Sequence, residues 1–181
     1  MPSAPAEAYA VFSDYVNQAS VQRIFNAFAG GMANKIQHVH LLFQSVGGIV
    51  GDGICLYNFF KSLPIDLTIY NAGAVQSIAL VAYLGAKRRK TSSRAVFMMH
   101  RTSSGAQPAT AARLKGVAKS LTLDDERTES ILREYITLSE EEWDKFDNQD
   151  VFFSGEEAVQ NGISHEIGEF SPPTGIQIYS V

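Results

Sequence analysis

The chain has 181 residues, of which 45% are apolar and 19% charged, and a formal net charge of −4. This length fits one domain, and the apolar content excludes an intrinsically disordered chain. A single cysteine, Cys55, excludes a disulfide scaffold and fits a reducing compartment. No apolar run reaches the roughly 18 residues of a membrane span, and the N-terminus lacks a signal peptide's basic start and apolar core. We therefore expect a cytoplasmic protein that binds neither membranes nor nucleic acid.

Charge is divided unevenly along the chain. Residues 67–123 contain nine lysines and arginines and no acidic residue, whereas residues 124–169 contain fifteen acidic residues and three basic ones. Such asymmetry can mark a site for a polyanion, or two surfaces that meet within a fold or an oligomer. Composition leaves both interpretations open. The basic run 87–90 is predicted to be a solvated loop between a helix and a strand.

The first half of the chain alternates strand patterns with helix patterns. The predicted elements are a strand at 9–12, a helix at 20–32, a strand at 38–43, a helix at 51–63, a strand at 66–70 and a helix at 76–86. Gly30 and Gly31 are expected to end the first helix, and Pro64 follows the second. The strand at 38–43 is apolar enough to predict burial on both faces.

The second half is predicted to continue with a strand at 94–99, a loop at 101–109 and a helical region at 110–138 that could break near 122–124. A short strand at 151–153 precedes a helix, because Ser154 and Glu157 have the spacing of a capping box and Gly162 fits a helix end. A last strand is predicted at 164–167, and the tail 170–181 is expected to be loose. The pattern indicates a single α/β domain over 1–181, with a parallel sheet and a core over about 9–169.

Reactive or glycine-rich residues follow three of the predicted strands, at the ends where α/β proteins carry their sites. Gly47 and Gly48 can turn backbone N–H groups into a cleft, Ser77 begins a helix, and His100 ends a strand. Taken singly, each has a structural explanation: a helix N-cap, a satisfied histidine or a plain turn. Together they favour a nucleophilic serine with a histidine base, and an acid from the later part of the chain.

Four segments, in order and at similar spacing, resemble the proteolytic subunit of the Clp protease, a self-compartmentalising serine peptidase. They are 41–48 (a strand and then Gln-Ser-Val-Gly-Gly, against Asn-Ser-Pro-Gly-Gly), 73–78 (Gly-Ala-Val-Gln-Ser-Ile, against Gly-x-Ala-Ala-Ser-Met), 93–102 (Ser-Arg-Ala-Val-Phe-Met-Met-His-Arg-Thr, against Ser-Arg-x-Met-Ile-His-Gln-Pro) and 149–162 (beginning Gln-Asp-Val-Phe-Phe-Ser, against Arg-Asp-x-Phe-Leu-Ser). The resemblance implies a ClpP/crotonase-like α/β fold of repeated βαβ units with a protruding long helix.

The resemblance also implies residue roles. Ser77 corresponds to the nucleophile, His100 to the general base and Asp150 to the acid that orients the imidazole, with the backbone N–H groups of Gly48 and Ile78 as the oxyanion hole. Asp144 and Asp147 are nearby rivals of Asp150, but the family's spacing to the Phe-Phe-Ser segment prefers Asp150. The implied activity is hydrolysis of unfolded proteins or peptides inside a homo-oligomeric ring, with no cofactor.

The chain departs from the family pattern at its start and near the implied catalytic residues, and these differences affect which partners and which site contacts we expect. The chain starts just before the first core strand, without the segment that lines the family's axial pore, which argues against an ATPase unfoldase as partner. Val46 replaces the proline of the glycine loop, and Arg101 places a cation beside His100, where it could disfavour the charged imidazolium or pair with an acid. Two alternatives stay open: a crotonase-like enzyme that processes acyl-CoA, for which Asp52 is the only nearby acid, and a non-catalytic scaffold subunit.

His38 and His40 alternate on one predicted strand and so point to the same face. Two such histidines could ligate a metal ion, but no third ligand occurs at a supporting spacing. We therefore expect structural or surface roles for them and no metal site.

Overall fold

A computed structural model describes residues 6–105 and 108–181. Its strands are β1 (Glu7–Ser13), β2 (His38–Gln44), β3 (Asp66–Asn71), β4 (Ala74–Gln76), β5 (Arg88–Thr91), β6 (Val96–Met99), β7 (Val151–Ser154), β8 (Glu166–Ile167) and β9 (Ile178–Ser180). Its helices are α1 (Gln18–Ala33), α2 (Val50–Ser62), α3 (Ile78–Leu84), α4 (Ala111–Tyr135), α5 (Glu140–Phe146) and α6 (Gly155–Gln160). None of these helices is long and apolar enough to cross a membrane.

The larger sheet has six parallel strands in the order β8-β5-β3-β2-β1-β9. Val39, Leu41 and Phe43 of β2 alternate into the core, where Phe43 meets Phe60 of α2. The intervening side chains of β2 are half-buried rather than buried. The prediction of burial on both faces is therefore only half right, because polar and aromatic side chains cover the second face.

The smaller sheet has the order β4-β6-β7, with β4 and β6 parallel and β6 and β7 antiparallel. An isolated bridge from Ser45 to Val75 joins the end of β2 to β4 and so links the two sheets. The strands of this sheet are short and the sequence predicted no separate β4. Its importance lies in its strand ends, which carry the candidate site.

Helix α4 protrudes along its first turns. Every residue from 111 to 120 is exposed, and only Thr128 and Leu132, further along, are buried. The helix runs without the break that the sequence suggested near 122–124. These features, with the mostly parallel sheet, confirm the expected α/β fold of βαβ units with a long projecting helix.

Three expectations about secondary structure are wrong. Helix α1 continues through Gly30 and Gly31 and ends at Ala33, before Lys35 adopts a φ of 60°. The tail is not loose throughout, because Ile178–Ser180 pairs in parallel with β1 and the Val181 N–H donates to the Val11 carbonyl oxygen. The basic run 87–90 is not a solvated loop, because most of it forms β5.

Arg89 shows why a basic run can form an interior strand. Its guanidinium donates to backbone carbonyl oxygens of Ile163, Ala86 and Gly162 at 2.8, 3.1 and 3.3 Å, and it lies over the ring of Tyr135. Burial lowers the pKa of Arg89 below its ordinary value. The residue is thus a buried anchor between β5 and the segment after α6, and its charge is not available to a polyanion.

Candidate active site

Ser77 lies in a sharp turn between β4 and α3. Its backbone has φ 55° and ψ −135°, a conformation that a non-glycine residue rarely adopts. The Ser77 N–H donates to the Met98 carbonyl oxygen at 2.8 Å, which fixes the turn against β6. Its hydroxyl does not cap α3. The N-cap explanation for this serine is therefore wrong: the side chain is turned away from its own helix.

His100 follows β6 directly, and its Nε2 lies 2.8 Å from the Ser77 Oγ. The parallel register of β4 and β6 pairs Gln76 with Met98, so the two side chains emerge at the same end of adjacent strands. A hydroxyl within hydrogen-bond reach of an imidazole nitrogen is the arrangement that base-assisted nucleophilic attack requires. The structure thus brings together the two groups that the sequence singled out separately.

Asp150 lies on the other side of the imidazole. Its Oδ1 is 3.8 Å from His100 Nδ1, within ion-pair range but too long for a hydrogen bond. The antiparallel register explains the proximity: Met99 pairs with Val151, so His100 and Asp150 are the next residues on the facing strands. The side chain of Asp150 is 54% exposed, which leaves the carboxylate free to rotate.

Asp147, a rival of Asp150, is bound elsewhere. Arg101 Nε donates to Asp147 Oδ1 at 3.0 Å, and Arg101 Nη1 contacts Glu129 Oε2 at 2.6 Å. Burial opposes the charge of Arg101, but these hydrogen bonds outweigh it and raise the pKa of the guanidinium. The cation beside His100 is therefore paired with two acids, as the sequence allowed.

The glycine loop brings backbone close to the serine. A Cβ on Gly47, whose φ is 110°, would lie 2.7 Å from the Ser77 Cβ, and a Cβ on Gly48 would lie 1.9 Å from the Val16 carbonyl oxygen. Only glycine permits this approach. Among the described residues, neither the Gly48 N–H nor the Ile78 N–H donates to another backbone group. Both residues line the cavity beside Ser77, so their amides can serve an oxyanion.

The cavity at this site has a volume of about 190 Å³ and contains both Ser77 and His100 in its wall. Its other lining residues are uncharged: Tyr15, Gly48, Val50, Ile78, Val81, Met99, Thr102, Ser103, Thr128 and Leu132. Asp52 does not line it. The site thus offers a hydroxyl, an imidazole and backbone amides, with no carboxylate in the described wall.

Sequence reasoning missed the residues that hold these groups in place. Gly53 of α2 packs so closely on α3 that a Cβ would lie 2.3 Å from Ile78 Cγ1. Asp125 of α4 accepts from the Thr102 N–H at 2.7 Å and so fixes the segment after His100. Gly53 lies in a helix that the sequence predicted, but nothing in the neighbouring sequence indicated that it packs against Ile78. The contact between Asp125 and Thr102 spans two elements and left no local signal.

Comparison with known proteins gives one family. The model of a family described as Clp protease matches residues 7–170. Among solved structures, a mutant of ClpP1 from Listeria monocytogenes superimposes with a TM-score of 0.74 and 21% sequence identity, over 92% of this chain and 91% of that chain. At this identity the structural likeness concerns the fold. A sequence comparison with curated proteins finds no match.

Proposed function

Since the chain belongs to the Clp protease family, we propose that it is a serine endopeptidase that cleaves unfolded proteins or peptides. Ser77 is the nucleophile, His100 the general base and Asp150 the carboxylate that orients the imidazole. The observation that carries this proposal is the 2.8 Å separation of Ser77 Oγ and His100 Nε2. The serine is held there by an unusual backbone conformation and makes no cap to its own helix.

The proposed reaction proceeds through an acyl-enzyme. His100 Nε2 takes the proton of the Ser77 hydroxyl as Oγ attacks the scissile carbonyl carbon, and then gives that proton to the leaving amine. A water molecule attacks the resulting ester, again with His100 as base, which releases the carboxylate product and restores the serine. Hydrolysis of a peptide bond by this route needs no metal ion or cofactor.

The oxyanion of each tetrahedral intermediate is proposed to bind to the backbone N–H groups of Gly48 and Ile78. The Ile78 amide begins α3, where the helix N-terminus favours negative charge. Removal of one such donor in other enzymes costs about 10²–10³ in rate. Neither amide is occupied by another described backbone group, which supports this role.

Asp150 is the least tightly held member of the proposed triad. At 3.8 Å its carboxylate is attracted to the imidazolium that forms during attack, although it makes no hydrogen bond. Catalytic hydrogen bonds are often long in the free enzyme and shorten when substrate binds. Rotation of the exposed side chain of Asp150 would close the gap to Nδ1.

The two alternatives fit less well. A crotonase-like reaction needs a carboxylate acid or base near the acyl group, and none of the described cavity-lining residues is acidic. A scaffold subunit without activity would have no need to hold Ser77 and His100 in hydrogen-bond contact. The proposed peptidase accounts for both features.

Assembly into a homo-oligomeric ring is part of the proposal. On the exposed part of α4, the apolar side chains of Leu114 and Val117 are 54% and 38% exposed. Burial of these side chains between copies of the chain would stabilise the assembly. Leu114→Glu should therefore lower the sedimentation coefficient of the assembled protein. Lys115→Glu, on an adjacent exposed position, is the matched control and should leave the assembly intact. Equal behaviour of the two variants would remove this helix from the interface.

The catalytic proposal is tested by covalent labelling with a fluorophosphonate. Native protein should be labelled once per chain, and peptide mass mapping should place the adduct on Ser77. Ser77→Ala should remove labelling and peptidase activity together, whereas Ser103→Ala, at another serine of the cavity wall, should keep both. An adduct on a different residue, or no labelling of an assembled sample, would refute the mechanism.

A further inference from the structure

Three potential metal ligands meet on the half-buried face of the larger sheet, away from Ser77. Glu7 of β1 pairs in register with His38 of β2, and His40 lies two residues further along the same face. One ligand atom from each residue lies within 4.8 Å of the other two. The Glu7 carboxylate is 3.6 Å from His40 Nε2 and 4.0 Å from His38 Nδ1. The strand register thus supplies the third ligand that linear spacing did not reveal.

The second nitrogen of each imidazole already has a partner. His38 Nε2 lies 2.8 Å from the Thr68 hydroxyl, and His40 Nδ1 lies 2.9 Å from the Tyr70 hydroxyl, both on β3. If these nitrogens carry the proton and donate to the hydroxyls, the opposite nitrogens present lone pairs towards Glu7. Metal-binding histidines are typically oriented in this way, by a hydrogen bond from the nitrogen that does not bind.

His40 Nε2 is buried and has no hydrogen-bond partner among the described residues. A buried polar atom without a partner costs free energy, so its presence calls for an explanation. The ring is held firmly: it stacks on Tyr9 with centroids 4.5 Å apart and on His38 with centroids 4.1 Å apart. His40 Nε2 is therefore held in one place, 3.6 Å from the Glu7 carboxylate.

Burial and the surrounding charges both affect the pKa of these two imidazoles. Burial is the largest cause that lowers the pKa of His38 and of His40, and Lys90 on β5 lowers both further. Arg88 adds to the lowering for His38, while Asp66 and Glu7 oppose it. Lys90 Nζ is itself paired with Glu166 at 2.9 Å, which reduces its repulsion of a cation.

We propose that Glu7, His38 and His40 bind one divalent transition-metal ion of the zinc type. Two imidazole nitrogens and one carboxylate are a ligand set that suits Zn²⁺, with a further position open to water or another donor. Ligand atoms around a tetrahedral Zn²⁺ are about 3.3 Å apart, from bond lengths of about 2.0–2.1 Å. The Glu7 side chain is 41% exposed, so rotation of its carboxylate can shorten its distances to both imidazole nitrogens. The bound ion would fasten the start of β1 to β2.

The test is a zinc titration of the full chain with any polyhistidine tag removed, against a chromophoric chelator. Native protein should bind one Zn²⁺ per chain, and its thermal midpoint should rise by several degrees at saturating metal. Glu7→Gln and His38→Gln should each weaken binding by at least about 10-fold, and Thr68→Val should also weaken it because the orienting hydrogen bond is lost. Circular dichroism establishes that each variant is folded, and Glu7→Gln changes only an exposed side chain.

Two control variants separate this site from others. Glu156→Gln alters an exposed carboxylate on α6, and His100→Ala removes the histidine beside Ser77; both should bind zinc as native protein does. No zinc binding by native protein, undiminished binding by Glu7→Gln and His38→Gln, or loss of binding in His100→Ala would each overturn the proposal. None of these outcomes bears on the labelling of Ser77, so the two proposals fail independently.

Discussion

Asp150 and Asp147 offer a matched test of the proposed triad, because they are three residues apart and differ in what they contact. Asp150 faces His100 Nδ1 at 3.8 Å, whereas Asp147 binds Arg101. Replacing each with asparagine removes one negative charge and preserves side-chain size. We expect Asp150→Asn to slow the labelling of Ser77 by a fluorophosphonate and Asp147→Asn to leave its rate within about 2-fold of native, since exposed charges at a distance are screened.

The size of the effect follows from Coulomb's law. At 3.8 Å, a carboxylate and an imidazolium interact by about 1 kcal/mol in water and by about 4 kcal/mol at an effective dielectric of about 20. The Asp150 side chain is 54% exposed, so the interaction lies towards the lower value, about 1–2.5 kcal/mol. At about 1.4 kcal/mol per factor of ten, the expected loss of rate is about 5- to 60-fold.

The assay is the second-order rate constant for fluorophosphonate labelling, measured at one pH on samples matched for assembly state. Asp144→Asn, at the remaining rival acid, is a further control and should label as native protein does. If Asp147→Asn were slower than Asp150→Asn, the orienting acid would be misassigned. If Asp150→Asn labelled at the native rate, the carboxylate would have no part in the attack.

Three further predictions concern the structure that supports the site. Gly48→Ala should lower the thermal midpoint and slow labelling because its Cβ would lie 1.9 Å from the Val16 carbonyl oxygen, whereas Gly51→Ala has no atom within 4 Å and should do neither; scanning fluorimetry and labelling of both variants decide this. Arg89→Met should lower the free energy of unfolding in urea by about 3 kcal/mol, because buried carbonyl oxygens lose their donor, and exposed Arg88→Met should cost under about 0.5 kcal/mol; equal losses would contradict it. Ser154→Ala should cost about 1 kcal/mol at pH 7. The Ser154 N–H and hydroxyl hold the pKa of Glu157 below its ordinary 4.5, so the part of the stabilisation that comes from the Glu157 carboxylate is present above pH 4.5 and is lost as the pH falls through the lowered pKa; a cost of Ser154→Ala that grew on acidification would contradict it.

Elements with a clear apolar period could be predicted from the sequence, and those held by polar contacts could not. Strands β1, β2 and β3 were found because their apolar residues mark them. Strand β5 was missed because Arg-Arg-Lys-Thr has no apolar pattern, and Arg89 is accommodated through carbonyl oxygens of distant residues. Strand β9 was missed because its partner is β1, at the other end of the chain.

Helix ends show a related limit. Gly30 and Gly31 looked like a stop, yet α1 runs through them, because a glycine in a helix interior costs only about 1 kcal/mol in helix propensity. The helix ends instead where Lys35 takes a left-handed backbone conformation. The Ser154–Glu157 capping box, by contrast, was predicted correctly, because all of its hydrogen bonds lie within four consecutive residues.

The contacts of several basic residues in the middle segment bear on the uneven distribution of charge along the chain. Basic residues of the middle segment pair with acids of the last third: Lys90 with Glu166, and Arg101 with Glu129 and Asp147. These pairs agree with surfaces that meet within the fold, one of the two interpretations that composition left open. Lys87, at the start of the basic run, also makes an internal contact, because its Nζ donates to the Leu63 carbonyl oxygen.

The smaller sheet explains why the three proposed catalytic residues, far apart in sequence, lie in a row. Ser77 follows β4, His100 follows β6 and Asp150 precedes β7; these three strands are neighbours in that order. Because β6 and β7 run antiparallel, the end of one meets the start of the other, which places Asp150 beside His100. An acid three residues earlier has left the sheet and can turn to Arg101 instead. The sequence supplied the serine and the histidine from strand ends, but the choice of Asp150 required either the family resemblance or this register.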